Sequence, residues 1–187
     1  MLEFEKKVLL TGEEYRVLVM TMCKHAQSTI QTNYYFDTDD YTMNKKSITC
    51  RIRAKDGKFQ ATVKSHGGEN VDCSVESTAE VKNEFDADAF KGMGLHFQGC
   101  LVTERIVAFK NEFCEMVLDR NTYLDFVDFE LEIEYLDNHE EYVMRLLNNI
   151  AETLLGNGVI ITAVDFLARV GKGKSKSGRF FERKAIK

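Results

Sequence analysis

The chain has 187 residues, 44% hydrophobic and 29% charged, with a net charge of −5 at pH 7. That length suits one well-buried domain over residues 1–187, and the acidic balance disfavours a general nucleic-acid surface, which relies on a basic patch. No stretch approaches the roughly 18 apolar residues of a membrane span, and "MLEFEKKVLL" lacks the features of a secretory leader, so a cytoplasmic protein with neither membrane nor nucleic-acid partner is expected.

The first predicted element is a strand through "EFEKK", with Glu3, Glu5 and Lys7 alternating with Leu2, Phe4 and Val8 around them. "TGEEYRVLVMTMCKHAQSTI", residues 11–30, predicts a helix: Thr11 followed by Glu14 is a capping-box pattern, and Tyr15, Leu18, Val19 and Met22 recur at helical spacing. From Thr32 to about Glu134 the pattern is of strands: "TNYYFDT", "SITCRIRA", "KFQATVKS", "VDCSVEST", "VTERIVAF", "EFCEMVLD" and "DFELEIEY". A short helical piece over Asp86 to Met93, closed by Gly92 or Gly94, interrupts them. "HEEYVMRLLNNIAETLLGNG" predicts an amphipathic helix with Val143, Leu146, Leu147, Ile150 and Leu154 on one face and Gly156 as its C-cap. A short helix follows around Ala163 to Arg169, and the tail "GKGKSKSGRFFERKAIK" begins as a basic loop and ends as a helix. Many strands with interspersed helices imply an α+β, mainly β fold: an antiparallel barrel or strongly curved sheet with helices outside.

Five cysteines and four histidines are scattered without a Cys-x-x-Cys, which argues against a disulfide framework and a zinc site. The charges are better organised. Glu3, Glu5 and Lys7, then Arg51 and Arg53, then Glu130, Glu132 and Glu134 each alternate with apolar neighbours, giving strands one charged and one apolar face. Each alternation alone is also the pattern of a solvated outer surface. The Asp56-Gly57 turn adds a constraint: a two-residue loop pairs Arg53 with Gln60, Arg51 with Thr62 and Thr49 with Lys64, so Arg51, Arg53 and Lys64 share a face. Like charges at that spacing are mildly destabilising unless an anion lies between them. If the charged faces point inward, the barrel encloses a polar tunnel suited to a polyanion, with carboxylates that hold hard cations such as Mg²⁺ or Mn²⁺.

In this order the residues resemble the CYTH superfamily, the triphosphate tunnel metalloenzymes. The resemblance rests on the Glu-x-Glu-x-Lys of "EFEKK", "NYYFDT", the Arg-x-Arg of "CRIRA", the lysine of "ATVK", Arg105 in "TERIV", Asp119 in "MVLDRNTY", the Glu-x-Glu of "FELEIE" and the Ser-Lys of "KSKSGRF". It implies an eight-stranded antiparallel β-barrel tunnel with helices packed outside and a C-terminal helix near one end. It further implies that Lys7, Arg51, Arg53, Lys64, Arg105 and Lys176 bind phosphates, and that Glu3, Glu5, Asp119, Glu130 and Glu132 surround metal and attacking water, with Glu3, Glu5 and Lys7 catalytic. Glu76 and Glu134 are open between tunnel and solvent, and Lys172 and Lys174 are expected in a solvated loop. A turn through Lys110 and Asn111 would pair Arg105 with Met116 and put it on the opposite face from Asp119, so an odd loop or a bulge is predicted there.

The reading is a metal-dependent hydrolase of a triphosphate, inorganic triphosphate first. A class IV adenylyl cyclase, a thiamine triphosphatase and a non-catalytic polyphosphate or nucleotide sensor are the competing readings. Oligomeric state is left open by the sequence.

Overall fold

The computed structural model describes residues 2–66, 73–86, 88–136 and 139–186. The strands are β1 (Leu2–Leu10), β2 (Ser28–Asp37), β3 (Ile48–Lys55), β4 (Lys58–His66), β5 (Cys73–Val81), β6 (His96–Lys110), β7 (Cys114–Tyr123) and β8 (Phe126–Tyr135). They pair antiparallel in the order β1-β5-β4-β3-β2-β6-β7-β8, and β8 pairs back onto β1, so the sheet is a closed barrel. The helices are α1 (Gly12–Met22), α2 (Thr42–Lys45), α3 (Glu140–Gly156), α4 (Ala163–Leu167) and α5 (Lys176–Ile186).

Because the strands alternate and their charged faces turn inward, the main apolar core lies outside the barrel wall. Val8, Ile106, Met116, Leu118, Leu131 and Ile133 present the outer face of β1, β6, β7 and β8 to Val17 and Leu18 of α1, Leu147 and Ile150 of α3, and Phe166 of α4. Each fully buried aliphatic side chain there contributes about 1.5–3 kcal/mol. The helices therefore stabilise the barrel from outside and free its lumen for polar groups.

A second cluster anchors α5 against one end of the barrel: Phe180 and Phe181 pack with Tyr35, Leu101 and Tyr123. Gly99, at φ 139°, makes room for it, since a Cβ there would stand 2.7 Å from the Phe180 ring. Thr49 and Ser177 share a buried hydrogen bond of 2.6 Å that ties β3 to the first turn of α5.

Several predicted bounds change. The capping box of Thr11 and Glu14 is present, but α1 ends at Met22 and Ser28 already belongs to β2, because β pairing with Ile106 and its neighbours captures residues that the helical periodicity claimed. Asp86 to Met93 forms successive turns, Ala89 to Asp86 and Met93 to Phe90 among them, rather than a helix, with Ala87 outside the described residues. Gly156 closes α3 from within; the C-cap is Asn157, and the left-handed position falls to Gly158, at φ 89°.

Candidate active site inside the barrel

The hairpin register follows the Asp56-Gly57 turn as expected: Arg53 opposes Gln60, Arg51 opposes Thr62 and Thr49 opposes Lys64. Arg51, Arg53 and Lys64 accordingly line one wall of an internal cavity of about 270 Å³. β5 adds Glu76 to this wall, and its carboxylate stands 3.7 Å from Arg51 and 3.8 Å from Lys64, looser than a charge-assisted hydrogen bond. Glu76 thus faces the tunnel, and so does Glu134 at its mouth. Arg53 donates to Asn33 at 2.9 Å. Burial, then repulsion from Arg51 and Arg105, pulls the Arg53 guanidinium down to about 9. Among the described residues, the buried Nε of Arg51 and Nδ2 of Asn33 find no hydrogen-bond partner. This wall is an arrangement of donors and positive charge that an anion would complete.

The opposite wall, from β1, β6, β7 and β8, is built of clamped pairs. Arg105 reaches Asp119 through Nε at 2.8 Å and Nη2 at 2.7 Å, and also contacts Glu132. Their meeting depends on the predicted bulge: β6 and β7 shift register between Val107 and Phe109, so that Arg105 comes directly opposite Asp119. The reversal itself centres on Glu112 and Phe113, not on Lys110 and Asn111, since Asn111 donates to the Cys114 carbonyl and its side chain accepts from Phe113 and Cys114. Lys176, delivered by α5, lies 2.5 Å from Glu132 and 2.9 Å from both Asp119 and Glu130. Burial opposes the Lys176 ammonium, yet Asp119, Glu130 and Glu132 outweigh it and raise its pKa. Glu132 is held well below the usual carboxylate range: burial works against its charge, but Lys176, Arg105 and Lys7 overcome it. In the same sense Lys7, 2.6 Å from Glu5, lowers the Glu5 pKa against the effect of burial.

The structure brings together Glu5, Lys7, Arg51, Arg53, Lys64, Arg105, Glu132 and Lys176 around the cavity. Asp119 and Glu130 sit beside it, fully buried beneath Arg105 and Lys176, and the Glu3 side chain lies outside the described residues. Lys174 pairs with Glu182 on the surface, as a solvated loop residue should. Arg179 was not singled out by the sequence, although it is nine-tenths buried and binds Asp128 and Glu130 at 2.8 Å each. Its spacing of three from Lys176, which puts both on one helix face, was the available signal.

Among the described residues no three His, Cys, Asp or Glu side chains form a ready metal cage. The donor chemistry nevertheless suits a hard cation: Glu5 and Glu132 present ionised carboxylates to the cavity, and such ions take the rest of their shell from water and substrate phosphate.

The closed eight-stranded barrel encloses a charged tunnel, and the chain belongs to the CYTH domain family, which it matches over residues 1–156. Among curated proteins it is similar to "Putative triphosphatase YjbK" of Bacillus subtilis (strain 168), 29% identical over 158 residues, covering 74% of this chain and 80% of that one. Among solved structures it resembles a Bacillus halodurans protein described as a candidate adenylate cyclase, at TM-score 0.67 and 24% identity, covering 96% and 97% of the two chains. HpAC1 from Hippeastrum, a candidate adenylyl cyclase with a stated dominant triphosphatase activity, superposes at TM-score 0.67 with 18% identity, covering 97% and 95%. No helix among the described residues is long and apolar enough to cross a membrane.

Proposed function

We propose that the protein is a metal-dependent triphosphatase that hydrolyses the terminal phosphoanhydride of inorganic triphosphate in the barrel lumen, with Mg²⁺ or Mn²⁺ as the cation. The observation that carries this reading is the wall of Arg51, Arg53 and Lys64 facing ionised Glu5 and Glu132 across one small cavity. A volume of about 270 Å³ suits a short phosphate chain without a bulky organic group. Residues 1–187 act as one unit, because Lys176 near the end of the chain completes a site begun at Glu5. Free thiols at Cys23, Cys50, Cys100 and Cys114 suit a reducing cytoplasm.

Arg51 and Arg53 supply forked donors to phosphate oxygens, Lys64 and Lys7 supply point charges, and Arg105 and Lys176 approach from the opposite wall. Phosphoryl transfer draws mainly on such positioning and charge stabilisation. A divalent ion held by Glu5 and Glu132 would lower the pKa of a bound water and screen the phosphates from the carboxylates. Glu5, kept ionised by Lys7, orients the attacking water rather than storing its proton.

Incubation with inorganic triphosphate, ATP and thiamine triphosphate, each with Mg²⁺ or Mn²⁺, tests this while phosphate, pyrophosphate and cyclic AMP are followed together. Phosphate released fastest from inorganic triphosphate is expected. Cyclic AMP with pyrophosphate from ATP would replace the reading with a cyclase, and tight binding without turnover would replace it with a sensor. In Glu5→Gln, turnover should fall about a hundredfold while triphosphate binding stays nearly constant.

A further inference from the structure

Arg179 contacts neither the cavity nor any phosphate ligand proposed above, yet it makes the densest set of charged bonds on α5. Its Nε donates to Asp128 at 2.8 Å, its Nη2 to Glu130 at 2.8 Å, and its Nη1 to the backbone carbonyl of Lys174 at 2.6 Å. Asp128 is itself fixed by Asn121 at 2.9 Å and Tyr123 at 2.7 Å, so the guanidinium docks on a rigid part of β7 and β8. α5 has a separate apolar anchor in Phe180 and Phe181. A purely structural tie would therefore be redundant for holding the helix.

Glu130 Oε2 is shared, 2.8 Å from Arg179 and 2.9 Å from Lys176. We infer that Arg179 is a positioning residue, which neutralises Glu130 and fixes the Lys174 carbonyl so that the Lys176 ammonium is presented to Glu132 and the tunnel instead of being drawn wholly onto Glu130. Without Arg179, the buried Glu130 charge has Lys176 as its nearest remaining cation, and the lysine retreats from the cavity. A guanidinium is suited to this because its planar fork serves two carboxylates and a carbonyl at once, which an ammonium on a flexible stem does not.

The inference rests on the triphosphatase reading, and a double-mutant cycle on KM for inorganic triphosphate separates the two. Arg179→Gln should raise KM roughly tenfold with kcat changed by less than about threefold, and the same substitution in a Lys176→Ala background should raise KM by less than about twofold, because the group it serves is gone. Arg179→Lys should recover melting temperature but not KM. Equal tenfold effects with and without Lys176 would overturn the positioning role while leaving the functional reading intact. Wild-type protein that neither binds nor turns over triphosphate would overturn the reading itself. Should Arg179→Gln fail to fold, Asp128→Asn, which loosens the guanidinium from its other partner, takes its place in the cycle with the same two outcomes.

Discussion

The two walls of the tunnel carry similar residues and opposite electrostatics. On the β7 and β8 wall, Asp119, Glu130 and Glu132 are matched by Arg105, Lys176 and Arg179 within 2.9 Å. On the β3 and β4 wall, Arg51 and Lys64 meet Glu76 only at 3.7 and 3.8 Å, and Arg53 is pressed by neighbouring guanidinium groups. The first wall is closely paired within itself, so its residues carry stability as well as their share of the site. The second holds Arg51 and Lys64 more loosely against Glu76 and, among the described residues, leaves Arg51 Nε without a hydrogen-bond partner, so residues of one chemical type are tightly clamped in one place and loosely held in another.

Substitutions on the two walls should therefore fail differently. Arg53→Ala should lower kcat/KM about 10²–10³-fold while leaving the melting temperature unchanged or raised, since it removes a phosphate donor and also relieves repulsion. A melting temperature that falls in step with activity would erase the distinction between the walls. Asp119→Ala should show the reverse emphasis: leaving Arg105 and Lys176 short of a buried partner costs about 3–5 kcal/mol, or about 10 °C in Tm by calorimetry.

The pH dependence sharpens the same contrast. Arg53 at about 9 in the free site is raised by a bound polyanion, so triphosphate affinity should be full below pH 9 and weaken above it. Glu5 and Glu132 are depressed in the folded state, so their stabilisation is present above the unfolded value of 4.5 and is lost as pH falls through their lower folded values. Thermal melts should thus be flat from pH 7 to about 5 and drop below about 4, while KM rises only at the alkaline end. The smallest effect belongs to Glu76→Gln: removing a carboxylate that competes for Arg51 and Lys64 should tighten metal-free triphosphate binding by up to about fivefold in calorimetry.

What the sequence made legible was what depends on period and turn chemistry. The alternation of Arg51 and Arg53 and the Asp56-Gly57 turn led directly to the observed hairpin, and the impossibility of Arg105 and Asp119 facing each other in a regular ladder pointed to the bulge. Ser28 to Ile30 were misassigned because their strand character comes from pairing with β6, a long-range partner with no local trace. Arg179 escaped for a similar reason. Its carboxylates lie 49 and 51 residues away and meet it only after α5 docks, and its spacing of three from Lys176 is a weak local signal that a surface arginine would share. Which carboxylates face the lumen and which are sealed behind it also depends on the barrel's closure, which alternation alone does not settle.

The register shift at Val107 to Phe109 comes down to one extra residue, Ala108. Deleting that alanine would leave a regular ladder with Arg105 still opposite Asp119, whereas inserting a second residue beside it, with no further bulge, would turn over everything before it in β6, sending Arg105 outward and an apolar neighbour into the lumen. Inheritance of this site is therefore sensitive to chain length as well as residue identity: the gain of a single codon in β6 would dismantle it while every charged side chain survived in the gene.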